Sequence, residues 1–156
     1  MVDFLTAVLT QPILGRVLAR TTWLSCNATE AAAIAGADEI AANAALLMDR
    51  HCPKAAGVVI RNGKAGAFIR LRDGSSATVP GFSVNAIDTN GAGDTHIGAF
   101  VSALSRSEEP STAVRYANAA AAISVTRPGG SSAPTHAEIL AFIASREDTA
   151  TSLMTA

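Results

Sequence analysis

Apolar and polar positions recur along this chain at two different periods, and the switches between them outline its elements. "QPILGRVLAR" at 11–20 has helical spacing, so residues 1–20 predict a lead-in helix. "TTWLSC" follows as a short buried strand. "NATEAAAIAG" opens on Asn27, a good N-cap residue, and closes on Gly36, where a helix stops. Asp38 to His51 predicts an alanine-rich amphipathic helix. The period then shortens: "AAGVVIRNG" reads as an apolar strand ending in a turn. Phe68–Arg72 alternates before turning at Asp73-Gly74, so these two pieces predict a hairpin, and "SATVPGF" a third extended segment.

Helical spacing returns after a glycine loop, from about Asp94 to Arg106. Pro110 opens the next helix, through "STAVRYANAAAAISVT", which halts at "RPGGSSAP". Thr135 caps a last helix, "HAEILAFIASRE", and residues 148–156 read as a frayed tail. Strands alternating with helices predict an α/β class with a largely parallel sheet of about four or five strands. There is no internal repeat and no linker rich in Gly, Ser or Pro.

Composition adds limits. At 156 residues, 49% apolar and 16% charged, the chain suits one domain with a real core and argues against disorder. A net charge of −1 with no basic run offers nothing for nucleic acid or a membrane surface to recognise, so neither is an expected partner. No apolar stretch reaches the ~20 residues of a membrane span, and the start lacks the basic region of a signal peptide, so the expected location is cytoplasmic. Cys26 and Cys52 allow one disulfide or two small buried thiols, the latter suiting a reducing compartment. His51, His96 and His136 are far apart and form no ligand pattern.

The chemistry concentrates in "AIDTNGAGDTHIGAF", residues 86–100. Glycine turns the backbone tightly and leaves its N–H groups uncovered. A helix starting there adds the positive end of its dipole, so the stretch could seat negative charge developing on a phosphoryl group. Asp94 beside that seat could accept a hydroxyl proton. The plain alternative is a tight turn with Asp94 as helix cap. In "CNATEA", Asn27 and Glu30 stand three apart and share a helix face, and an amide with a carboxylate suits hydrated Mg²⁺; the alternative is an N-cap and a solvated glutamate. "VVIRNGKAGAF" puts Arg61, Gly63 and Gly66 at a strand end, where backbone could approach phosphate; the alternative is a hairpin turn. Small residues around Asn118 could admit a flat ligand or simply pack a helix.

"DTNGAGDTHIGAF" resembles the C-terminal signature of the ribokinase-like (PfkB) family of small-molecule kinases. The resemblance implies a three-layer αβα fold and ATP, with Mg²⁺, as phosphate donor to an alcohol of a small sugar or nucleoside-like substrate. It implies that Gly91, Ala92 and Gly93 form an anion hole and that Asp94 is the catalytic base. His96, where the family often has Phe, reads as helix packing at the pocket edge. Asn27 and Glu30 match the family's Asn-x-x-Glu motif, placing Glu30 near Mg²⁺ through water and Asn27 near the phosphates. Arg61, Gly63 and Gly66 match a Thr/Lys-x-Gly-x-x-Gly segment that contacts ATP, with Arg61 replacing its first residue. By position Asn118 borders adenine. Asp88 and the backbone of Asn90, Ser124, Arg127 and Gly129, with Ser132, match a loop that holds a monovalent cation such as K⁺.

The resemblance covers about residues 20–145 and lies entirely with the family's C-terminal half. Members are roughly twice this length, at the upper end of a single domain. Residues 21–147 are therefore expected to be the ATP-binding and catalytic half of such a domain, without the N-terminal strands, the β lid or the acceptor-binding residues. An unpaired sheet edge is expected to draw in a second copy or a complementary N-terminal half. Transfer by the isolated chain is expected to be impaired. The competing readings are a nucleotide-binding module without catalysis and a truncated remnant completing a partner chain.

Overall fold

The computed structural model describes residues 12–130 and 132–154. Most of the expected lead-in (1–11) and the last two tail residues lie outside the described residues. The chain forms two compact units, the first ending at Val79 and the second beginning at Pro80.

The first unit opens with α1 (Pro12–Leu18), β1 (Trp23–Asn27) and α2 (Ala28–Ala35). Asn27 caps α2, and Gly36 ends it in the left-handed conformation at φ 78° that glycine adopts without a Cβ clash. Then come α3 (Ile40–Leu46), β2 (Gly57–Arg61), β3 (Gly66–Leu71) and β4 (Ser76–Pro80). The strands lie in the order β1-β2-β3-β4. β1 and β2 are parallel because the helical segment between them carries the chain back to the same end. β2 and β3 are antiparallel, joined by a 3₁₀ turn at Gly63–Ala65. The sheet is thus mixed; only the β1–β2 pair matches the expected parallel arrangement, and the expected hairpin accounts for the rest. Among the described residues β1 has a strand on one side only, so its outer edge is open.

Alternate residues of the sheet face the helices. Cys26, Val58 and Ile60, with Leu24 and Phe68, pack on Ala31, Ile34, Ala44, Leu47 and Met48. Each fully buried aliphatic side chain there contributes about 1.5–3 kcal/mol. Both cysteines are buried free thiols, which excludes the disulfide alternative. Burial, and then Glu30, push the Cys26 thiol up to about 12.

The helix expected over Asp38–His51 begins later, at Ile40, and its last turn, Leu47–His51, widens to π geometry. A long-range contact accompanies that departure. Arg72, beyond the hairpin, donates Nε to Ala55 O at 2.9 Å and Nη2 to Cys52 O at 2.6 Å and Met48 O at 3.4 Å. One guanidinium therefore satisfies carbonyls that the end of the helix leaves open.

The second unit contains α4 (Ala92–Ser105), α5 (Pro110–Ser124) and α6 (His136–Met154). Ala113, Ala117 and Ala120 of α5 and Ala103 of α4 are buried, small enough to let helix backbones approach closely. Arg106 lies 4.8 Å over the Tyr116 ring, whose hydroxyl is 2.8 Å from His136 Nδ1. α6 runs to Met154, past the Asp148 at which the tail was expected to fray. Neither Gly nor Pro occurs between His136 and Met154 to stop it. Among the described residues no single helix is long and apolar enough to cross a membrane.

Two expected outcomes test this packing. A Cβ at Gly57 would sit 2.3 Å from the ring of its register partner Trp23. Gly57→Ala should therefore lower stability in urea unfolding by about 1–3 kcal/mol. Thr135 and Glu138 cap α6 reciprocally: Thr135 N donates to Glu138 Oε2 at 2.7 Å and Glu138 N to Thr135 Oγ1 at 3.4 Å. The Thr135 amide and then Arg127 hold the Glu138 carboxyl down at about 2, from an ordinary value of 4.5. A depressed carboxylate stabilises the fold above its unfolded value, and that contribution is lost as pH falls from about 4.5 to about 2. Glu138→Gln should therefore melt below the parent chain at pH 7, with the gap closing in thermal melts taken toward pH 2.

Candidate functional site

The glycine loop of the second unit is built by a close backbone approach. Gly91 is the N-cap of α4 with φ 74°, and Thr95 N closes the first helical bond to its carbonyl at 2.9 Å. A Cβ at Gly91 would meet Gly130 O at 2.2 Å. Only glycine meets both demands, the left-handed backbone and the close approach. The helix thus starts two residues before the expected Asp94, and no side chain caps it. Asp94 is not the cap of the plain reading: it stands one turn in, exposed, and its side chain makes no hydrogen bond or ion pair among the described residues. Ala92 N reaches Thr89 O at 3.3 Å, while the next amides of the first turn have no helical acceptor. That end can receive an anion.

The loop before α4 is tied to the loop after α5. Ile87 N and Asp88 N both donate to Val125 O, at 2.7 and 3.1 Å. Asp88 accepts from Asn90 N at 2.9 Å and from Gly129 N at 3.0 Å, and these amides, Asn90 first, hold its carboxyl below its usual value. Ser132 Oγ donates to Ser124 O at 3.1 Å, and Arg127 is ion-paired with Glu138. The six residues expected to form a cation loop are thus gathered at one end of α5. Gly130, which presses on Gly91, escaped the sequence reading; "PGG" at 128–130 carried the signal.

His96 is buried, as helix packing requires, but it also bonds. Its Nε2 lies 3.1 Å from Asn118 Oδ1, which can only accept, so Nε2 is the protonated ring nitrogen. Asn118 Nδ2 donates to Pro80 O at 3.1 Å. At 6% exposure, the Asn118 side chain is engaged inside the unit.

The remaining expected residues share an end of the first unit's sheet. Asn27 and Arg61 are register partners at the carboxyl ends of the parallel strands β1 and β2, the end where open α/β sheets bind ligands. Asn27 Oδ1 accepts from Glu30 N, and Glu30 Oε2 from Asn27 N, both at 2.8 Å. The motif is therefore a capping box, with Glu30 turned back over the helix start. Arg61 Nη2 lies 3.8 Å from Glu30 Oε2, and its Nε is buried with no hydrogen-bond partner among the described residues. Gly63 (φ 53°) and Gly66 (φ 100°) shape the turn beyond. Such an orphaned guanidinium nitrogen fits a phosphate-bearing ligand. A cavity of about 400 Å³ lies alongside, lined by Asp38, Glu39, Asn62 and Phe68 among others; its two carboxylates suit it poorly to phosphate.

The model of the pfkB family carbohydrate kinases matches residues 3–137. Ribokinase of Haemophilus influenzae is 48% identical over 87 residues, 55% of this chain and 28% of that protein. The ATP-dependent ribose-1-phosphate kinase of Halopiger xanaduensis is 36% identical over 125 residues, 74% of this chain and 42% of that protein. The crystal structure of ribokinase from Thermotoga maritima superposes with a TM-score of 0.75 at 32% identity, covering 85% of this chain and 46% of that one. The chain spans less than half the length of these relatives. Because the family model matches residues 3–137, well over half of the chain, the chain belongs to the PfkB family of carbohydrate kinases.

Proposed function

We propose that this chain carries the phosphoryl-transfer machinery of an ATP-dependent sugar kinase, passing the γ-phosphate to an alcohol of a small sugar or nucleoside-like acceptor. One observation carries the reading: α4 starts on a glycine, with no side chain over its first amides and Asp94 free in its first turn. In phosphoryl transfer the protein positions reactants and stabilises charge. Backbone N–H groups of Gly91, Ala92 and Gly93 hold the oxygens of the moving phosphoryl group. Asp94 takes the hydroxyl proton as the acceptor oxygen bonds to phosphorus and the bond to the ADP oxygen breaks.

Asn27, Arg61, Gly63 and Gly66 serve the nucleotide phosphates, and Asn118 borders the adenine. Glu30 would hold Mg²⁺ through water, since Mg²⁺ keeps several waters and is bound through one or two carboxylates. When bound, Mg²⁺ offsets charge on the phosphates. Asp88, with the loop carbonyls of Asn90, Ser124, Arg127 and Gly129 and with Ser132, holds a monovalent cation such as K⁺, which steadies the anion seat through the Gly91–Gly130 contact. The activity is placed in the cytoplasm.

Transfer by the isolated chain is impaired, and a second copy or a complementary half pairs at the open β1 edge. A nucleotide-binding module without turnover is the second reading.

Asp94→Asn distinguishes the two. It should lower phosphorylation of ribose, followed by coupled release of ADP, by about 10²–10⁴-fold while ATP affinity in calorimetry changes little. ATP binding by both with turnover by neither favours the module, and equal turnover by both removes Asp94 as the base. Gly91→Ala should weaken nucleotide binding more than about tenfold and cost about 1–3 kcal/mol in chemical unfolding, because it strains the left-handed turn.

A further inference from the structure

Arg61 and Glu30 hold a relationship that neither the family match nor the fold requires. Glu30 has two duties at one carboxylate. Oε2 accepts the Asn27 amide at 2.8 Å and also faces Arg61 Nη2 at 3.8 Å. The first contact is a hydrogen bond that closes the helix start. The second is too long to be one. Glu30 is therefore held in place, whereas the guanidinium meets it by charge alone. Arg61 also keeps unspent donors: its Nε is buried without a partner among the described residues, and a guanidinium carries five N–H groups in a fork matched to phosphate. The strand register sets Asn27 opposite Arg61, and the capping box ties Glu30 to Asn27, so the carboxylate is held at the same sheet end as the guanidinium.

We infer that Arg61 is an exchangeable counter-ion of Glu30, given up to phosphate oxygens when nucleotide arrives, so that Arg61 couples divalent-cation binding to nucleotide binding. The inference rests on the nucleotide reading above. A cation approaching Glu30 competes with a guanidinium already there, and phosphate approaching Arg61 competes with a carboxylate already there. Each ligand alone meets an occupied partner. Together they relieve both sides, since Arg61 turns to phosphate and Glu30 is released to the cation's water shell.

Calorimetry on the full chain with Mg²⁺ alone, ATP with EDTA, and both together reads this directly. Arg61→Gln should bind Mg²⁺ alone more tightly than the parent chain and metal-free ATP about tenfold or more weakly, the loss expected for charge-assisted hydrogen bonds. Glu30→Gln should bind metal-free ATP about tenfold more tightly and lose the enhancement by Mg²⁺, while keeping its cap, because glutamine also completes a capping box. Arg61→Lys, which keeps the charge and loses the fork, should fall between. Melting temperatures close to the parent's establish that each variant is folded. Should the Gln variants leave both single-ligand affinities at parent values while the parent binds Mg²⁺–ATP, the coupling is wrong and the nucleotide reading stands. A parent chain that binds no ATP under either condition removes both.

Discussion

The contact between the backbones of Gly91 and Gly130 governs the second unit. A left-handed residue at 91 turns the chain into α4, and the carbonyl of Gly130 fills the space that any Cβ would take. Asp88 then bridges the two loops through the amides of Asn90 and Gly129. These tethers hold the first turn of α4 open at its N-terminus. A side-chain cap there would have satisfied the same amides and left nothing for a substrate oxygen. The missing cap costs some helix stability, and the loop contacts offset it.

In the first unit the equivalent constraint is strand register. Two parallel strands of equal length end level, which sets Asn27 opposite Arg61 and puts the capping carboxylate of Glu30 within reach of the guanidinium. The helix cap and the proposed metal-side carboxylate are therefore one group. Glu30 cannot be judged as either a cap or a metal-side carboxylate alone, because its cap is what fixes its position.

The buried His96–Asn118 pair follows the same logic of shared use. Both residues are buried, so the oxygen and the nitrogen of the Asn118 amide need partners, which His96 and Pro80 supply. A buried amide left without them would cost about 1–3 kcal/mol. The small residues around position 118 allowed either a flat ligand or helix packing, and the sequence is silent on which partners the amide meets.

Local chemistry was legible in the sequence. Asn27 with Gly36, Pro110, and Thr135 with Glu138 mark helix ends through contacts a few residues long, and they stand where the pattern placed them. The glycines of the Gly-Ala-Gly-Asp stretch marked a tight turn into a helix for the same reason, and those at 63 and 66 marked the hairpin. What tertiary structure decided involves partners far apart in sequence. Gly130 closes on Gly91, the N-cap before α4 at Ala92, and Arg72 reaches across to the π-helical turn. The sheet became mixed through strand pairing. Asn118 was drawn inside by His96, and Arg61 was set against Glu30. A sequence states which groups each residue offers; only closure of the chain determines which of them meet.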